Sequence, residues 1–196
     1  MATHQKTTGT LMSTKTTKKT VLKATNLSIG YATKKSKNCI AKNLDLELLK
    51  GQMVCLIGKN GIGKSTLLRT LSKTQKPLEG SIWLGEKKIE DIKTDALAKK
   101  MSLVLTEKIP ESQLSVFEII ALGRQPYTNW MGKLRPEDYK VVNSAMEQVH
   151  ISELSTKKFN ELSDGQSQKV MIARALAQDT DLIILDEPTA HLDLHH

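Results

Sequence analysis

Three short stretches of this chain combine residue types suited to phosphate chemistry. In "GKNGIGKST" at 58–66, Gly58, Gly63, Lys64 and Ser65 fall in the spacing G-x-x-x-x-G-K-[ST]. Glycines there let the backbone curl until its N–H groups point inward at an anion. Lys64 brings a positive charge to the β- and γ-phosphates of a nucleotide, and Ser65 offers a hydroxyl to Mg²⁺. Asn60, Gly61 and Thr66 complete the candidate phosphate-binding set. The plain alternative is a glycine turn that holds no ligand, but the strand-like run before it and the helical run after it favour the phosphate.

In "LIILDEP" at 182–188, four apolar residues lead into Asp186 and Glu187. A buried strand of that kind ends with its carboxylate at the edge of the sheet where ligands bind in doubly wound folds. Asp186 can there help hold Mg²⁺, and Glu187 can polarise an attacking water. Alone, such a pair reads as a turn or helix cap; beside the loop at 58–66 it reads as nucleotide chemistry. The third stretch, "LSDGQSQKV" at 162–170, sets Ser163, Asp164 and Gly165 just ahead of helical apolar spacing from Val170 to Ala177. A hydroxyl and free backbone N–H groups at a helix start make a second anion cradle. It could equally be a helix N-cap alone, and one domain of this size needs a reason to carry two cradles.

The elements that must position these residues read as alternating strand and helix. Met53–Ile57, Met101–Leu105 and Leu182–Leu185 are short apolar runs that predict strands buried on both faces. The first enters the glycine loop, and Leu67, Leu68 and Leu71 predict a helix after it. "SIWLGEKKI" at 81–89 alternates around a glycine, which predicts a hairpin. Ser115 and Glu118 form a capping-box pattern ahead of a helix through Leu122. Pro136, Glu137 and Asp138 suit a first helical turn, with Val142, Ala145, Met146 and Val149 following at helical spacing. Residues 107–158 are therefore expected to be an all-helical insertion in an α/β core.

Composition bounds the partners. The chain has 196 residues, enough for one domain with a real core, and its 39% hydrophobic and 26% charged content suits a globular protein. No apolar run approaches the ~18 residues of a membrane span, and no apolar leader stands at the N-terminus. Cys39 and Cys55 match no metal or redox spacing, and Cys55, in an apolar run, is expected in the core of a cytosolic protein. Net charge is +8; residues 1–20 hold Lys6, Lys15, Lys18 and Lys19 without an acid and read as a solvated, disordered tail. Four dispersed lysines make a weak patch for lipid or nucleic acid.

Taken together, "GKNGIGKST", "LSDGQ" and "LIILDEPTAHLD", in this order and spacing, resemble the nucleotide-binding subunit of ABC transporters from about Val21 onward, as domain 21–196. The resemblance implies a P-loop NTPase (ABC ATPase) core of α/β class, with an antiparallel β subdomain and an inserted helical subdomain at 107–158. It also implies an answer to the two cradles. Two copies pair head to tail, and Ser163, Gly165 and Gln166 of one cap the γ-phosphate of the ATP held by the other. It further implies that Tyr31 stacks on adenine, that Asp193 lies in a loop crossing the dimer interface, and that Glu187 and Lys64 are catalytic. Ser65 and Asp186 would hold Mg²⁺. Asp164 replaces the usual first glycine of the signature.

Two departures stand out. "LVLTEK" at 103–108 sets Thr106, with Glu107 beside it, where the family has a Mg²⁺-contacting glutamine. The family's γ-phosphate-contacting histidine has no counterpart, because His191, His195 and His196 lie too close to Asp193. The resemblance therefore predicts a C-terminally shortened ATPase that binds nucleotide and turns it over poorly. The segment "ALGRQPYTNWMGKLRPEDYKVVNSAMEQV" at 121–149 is similar to that of importers for iron(III)-siderophores, haem and cobalamin, where it docks on integral membrane permease subunits. A substrate-binding protein would then be an indirect partner and the cytoplasmic face of the membrane the location. The competing readings are a soluble ABC ATPase acting on nucleic acid or ribosomes, and a P-loop kinase or GTPase. A single cassette without a coiled-coil insertion argues against nucleic acid; in a kinase or GTPase the second cradle would be a coincidence.

Overall fold

The computed structural model describes residues 19–33, 36–105 and 112–186. Two long strands, β1 (Thr20–Ala32) and β2 (Lys37–Leu49), pair antiparallel and are extended by β3 (Glu79–Leu84) and β4 (Lys87–Lys88), in the order β2-β1-β3-β4. β1 buries Leu22 and Ala24, then Leu27 and Ile29, an alternation that slips by one residue midway. The slip falls where Asn26 has φ 49° and the register with β2 shifts between Ala24 and Leu27. A bulge there keeps both apolar pairs on the core face, which strict alternation would not. The expected hairpin is present: Trp83 opposes Lys88 and Leu84 opposes Lys87 across a turn with Gly85 at φ 61°.

Behind this sheet lie α1 (Lys64–Leu71), α2 (Thr94–Ala98) and a parallel pair, β5 (Met101–Val104) beside β6 (Leu182–Leu185). Leu22, Leu27, Ile82, Leu84, Leu71, Met101 and Ile184 share one core, so the antiparallel sheet, α1 and the parallel pair are a single packed unit. A second core joins α3 (Val116–Ala121), α4 (Pro136–Gln148) and α5 (Asp164–Ala177) through Ile120, Val142, Met146, Val170 and Ala173. α3 starts at the expected capping box: the Ser115 N–H donates to Glu118 Oε2 (2.7 Å), and the Glu118 N–H to Ser115 Oγ (3.2 Å). The Ser115 hydroxyl also donates to Glu118 Oε2 (2.7 Å), and the two bonds from the Ser115 N–H and hydroxyl hold the Glu118 carboxyl below its ordinary value. The chain continues as a 3₁₀ turn over Leu122–Tyr127.

Two expectations are corrected. Met53–Ile57 is not a strand, and Met53 and Ile57 are each 90% exposed. A strand buried on both faces takes its order from ladder neighbours, and among the described residues β5 and β6 pair with each other while none pairs with 53–57. Cys55 is accordingly exposed rather than a core residue. The second correction concerns β6, which has the expected bounds but is buried only in part: Ile184 lies in the core while Leu185 is exposed. Among the described residues no helix is long and apolar enough to cross a membrane. The basic tail through Lys18, together with Thr106, Glu107, Glu187, His191, Asp193, His195 and His196, lies outside the described residues.

Candidate functional site: a glycine loop facing a strand end

The loop at 58–63 turns directly into α1, whose first residues are Lys64, Ser65 and Thr66. Gly61 (φ 80°) and Gly63 (φ 107°) hold left-handed backbone, which a side chain adopts only under strain. At Gly63 a Cβ would also sit 2.5 Å from Ile40 Cγ2 on β2, so that side chain would have to move. The Lys64 ammonium curls back over the loop, donating to the carbonyl oxygens of Gly58 (2.9 Å) and Lys59 (3.0 Å). The loop thus forms a collar with a cation at its centre and the positive end of α1 beneath it. Asn60 lies in the turn of that collar.

Asp186 follows the last residue of β6, and its N–H donates to the Val104 carbonyl of β5, continuing the parallel ladder one step further (2.9 Å). Its side chain is buried, and Oδ1 accepts a 2.9 Å hydrogen bond from Ser65 Oγ. The fold therefore brings together the hydroxyl and the carboxylate predicted to share a cation. Both are hard oxygen donors, the kind Mg²⁺ prefers, so they fit such a site. Tyr31 lies near the end of β1, with its hydroxyl 3.2 Å from Thr66 Oγ1 and its ring half exposed. That bond ties the aromatic to the first turn of α1 and leaves a ring face open.

The second candidate cradle is a capped helix N-terminus, and it stands apart from the first in the fold. Ser163 is the N-cap of α5: its hydroxyl accepts from the Gln166 N–H (3.3 Å), while its own N–H donates to Gln166 Oε1 (3.1 Å). Gly165 and Asp164 occupy the first turn. α5 packs into the helical core, whereas the glycine loop leads into α1 and the sheet core.

The sequence reading missed a buried ion pair between the helical elements. Arg124 Nε donates to Asp138 Oδ1 at 3.0 Å, and Asp138 is fully buried. Burial alone would raise the Asp138 carboxyl, but the Arg135 N–H and the Arg124 guanidinium prevail and hold it below its ordinary value. By its sequence Asp138 is simply a first-turn acid, and nothing in the local pattern marks it as buried.

Comparison with known proteins agrees with this geometry. A family model described as "ABC transporter" matches residues 41–190, more than half of the chain. An ABC transporter ATP-binding protein of Methanocaldococcus jannaschii, MJ0873, is 44% identical over 176 residues, covering 90% of this chain and 59% of that one. The achromobactin transport ATP-binding protein CbrD of Dickeya dadantii is 38% identical (90% and 64% covered), and the ferric enterobactin transport ATP-binding protein FepC of Escherichia coli 37% (89% and 63%). The chain thus spans about three-fifths of the length of these relatives. Among solved structures, the dimeric cassette MJ0796 superposes with a TM-score of 0.74 at 30% identity, covering 88% of this chain and 76% of that one. With the loop, strand end and capped signature helix all in the architecture of a solved cassette, this chain belongs to the ABC transporter family.

Proposed function

We propose that the chain is the ATP-binding and ATP-hydrolysing subunit of an importer, with an iron(III)-siderophore or a related haem or cobalamin compound as cargo. The observation that carries the ATPase reading is the contact of Ser65 with Asp186, which joins the glycine loop to the strand end at one point. The cargo reading is supported by relatives named for achromobactin, iron(3+)-hydroxamate and ferric enterobactin. In this reading residues 21–196 are the ATPase domain, 107–158 its helical subdomain and 1–20 a basic tail.

The roles follow from the chemistry of each group. Backbone N–H groups of Gly58, Asn60, Gly61 and Gly63 cradle the phosphates, and Lys64 turns its ammonium from the loop carbonyls to the phosphate oxygens. Thr66 stands in the same first turn. The open face of Tyr31 receives the adenine. Ser65 and Asp186, with Thr106 nearby in sequence to the end of β5, would hold Mg²⁺, which would supply charge neutralisation at the phosphates. Glu187 orients and polarises the attacking water. Ser163, Gly165 and Gln166 present a hydroxyl, amides and a side-chain amide to the γ-phosphate held by a second copy, paired head to tail. Permease subunits at the cytoplasmic face of the membrane are the further partners, with a substrate-binding protein acting through them.

The test is co-expression with candidate permease subunits. Retention of the chain in the membrane fraction only when a permease is present supports the reading. Association with ribosomes that RNase abolishes, without permease binding, overturns it.

A further inference from the structure

We propose that Arg124 is a positioning residue that braces the C-terminal end of α5, so that Ser163 at the other end keeps one placement relative to Asp186. The proposal rests on the reading of Ser163 given above and adds to it a residue outside both cradles. Arg124 is buried in the 3₁₀ turn after α3 and spends its guanidinium on two elements at once. Nε bonds Asp138 of α4 at 3.0 Å, and Nη1 donates to the carbonyl of Ala177, the last residue of α5, at 2.8 Å. That carbonyl has no partner inside its own helix, and a cation there also complements the helix dipole.

The surrounding contacts fix the same point. The Tyr127 ring lies 4.1 Å from the Arg124 guanidinium, and its hydroxyl donates to the Asp179 carbonyl (3.2 Å). Toward the opposite elements, Gln178 Nε2 donates to the carbonyls of Ala98 (2.6 Å) and Met101 (3.1 Å), and Thr180 Oγ1 donates to Ser102 Oγ (3.1 Å). Residues 177–180 are thus gripped by the helical core on one side and by α2 and β5 on the other. Immediately afterwards the chain enters β6, which ends at Leu185 with Asp186 next in the chain. Gly123 closes the arrangement: a Cβ there would come within 2.3 Å of the Arg174 carbonyl, so the turn presses directly on the backbone of α5.

Leverage makes the brace consequential. α5 has 14 residues, so it is about 21 Å long at a rise of ~1.5 Å per residue, and a tilt of ~5° at Ala177 moves Ser163 by about 2 Å. A displacement of ~1 Å at a reacting centre is enough to cost on the order of 10²-fold. Lysine at position 124 keeps the charge but lacks the fork that reaches Asp138 and Ala177 together.

The test uses the whole chain with the variants Arg124→Lys and Gly123→Ala, which loosen the brace from its two sides. Val142→Ala, a core truncation in the same helical cluster, is the control for lost stability. ATP affinity is measured by calorimetry in dilute protein, and ATP-driven self-association by sedimentation. Both brace variants should bind ATP within about twofold of wild type and self-associate at least tenfold more weakly, while Val142→Ala lowers the melting temperature and pairs normally. Variants that pair like wild type, or that lose ATP affinity in step with pairing, overturn the brace. Pairing lost equally in Val142→Ala reduces Arg124 to a stabilising residue and also overturns it. If wild type binds ATP but does not pair on it, the head-to-tail reading of Ser163 fails and the brace with it, a result distinct from all the others. Should Arg124→Lys not fold, Tyr127→Phe, which removes only the bond to Asp179, carries the same comparison.

Discussion

Ser65 Oγ donates a 2.9 Å hydrogen bond to Asp186 Oδ1 across a sequence separation of 121 residues. The contact joins the first turn of α1 to the end of β6, and in the proposed Mg²⁺ site the Asp186 carboxylate would be the charged half. Asp186→Asn keeps a hydrogen-bond acceptor for Ser65 and removes the charge. ATP affinity of this variant, titrated with and without Mg²⁺, should lose most of its metal dependence; an unchanged Mg²⁺ response would dismiss Asp186 as part of the site.

Lys64 is held over the loop by the carbonyls of Gly58 and Lys59. Lys64→Ala removes the ammonium that bonds the carbonyls of that collar, so ATP affinity should fall by more than about tenfold, ~1.4 kcal/mol or more. Calorimetry decides it, and binding equal to wild type would refute the phosphate role.

At Gly63, left-handed φ and the 2.5 Å approach to Ile40 act together. Gly63→Ala should lower stability by about 1–3 kcal/mol in urea unfolding and weaken ATP binding as well. Gly61→Ala meets nothing within 4 Å, so its cost should come from the backbone alone and be the smaller of the two. Equal effects at both positions would show that the contact with Ile40 does not matter.

Ser163 caps α5 through its hydroxyl. Ser163→Ala should cost about 1 kcal/mol of stability as a lost cap, with ATP affinity at the chain's own loop unchanged. If the cradle serves a second copy, an equal mixture of Ser163→Ala and Lys64→Ala proteins should form mixed dimers with one intact site. Absence of any regained nucleotide trapping in the mixture, under conditions that exchange subunits, would count against head-to-tail sharing.

Asp138 gives the fold an acid-sensitive point. Its carboxyl lies below the ordinary 3.8 in the folded state, so its contribution to stability is complete above that value and disappears as pH falls through the lower folded one. Urea midpoints should therefore decline below about pH 4, and less steeply in Asp138→Asn. At neutral pH, Asp138→Ala should destabilise by roughly 3–5 kcal/mol, because it leaves the Arg124 charge buried without its partner. A pH profile identical in wild type and Asp138→Asn would remove Asp138 as its source.

The loop, the signature cap, the hairpin at 81–89 and the bounds of β6 were legible in the chain itself, because each rests on local rules. Glycine spacing, a Ser-x-x-Gln cap and alternation around Gly85 act within a few residues, and the backbone has little freedom to disobey them. β1 and β2 were less legible: the bulge at Asn26 breaks the alternation that would have signalled a strand. The apolar run Met53–Ile57 shows the opposite limit. Its composition suits a buried parallel strand, but pairing is a property of neighbours, and among the described residues no strand pairs with it. The same reasoning applies to function. Residue types alone identified Ser65 and Asp186 as partners for a cation, since few other chemistries use that loop. Only the tertiary structure could show that Arg124 and Asp138, read from sequence as part of a docking segment and a first-turn acid, meet in a buried pair at the end of the signature helix. Their meeting depends on how α4 and α5 pack, and a charged residue's sequence neighbours carry no record of what it is buried against.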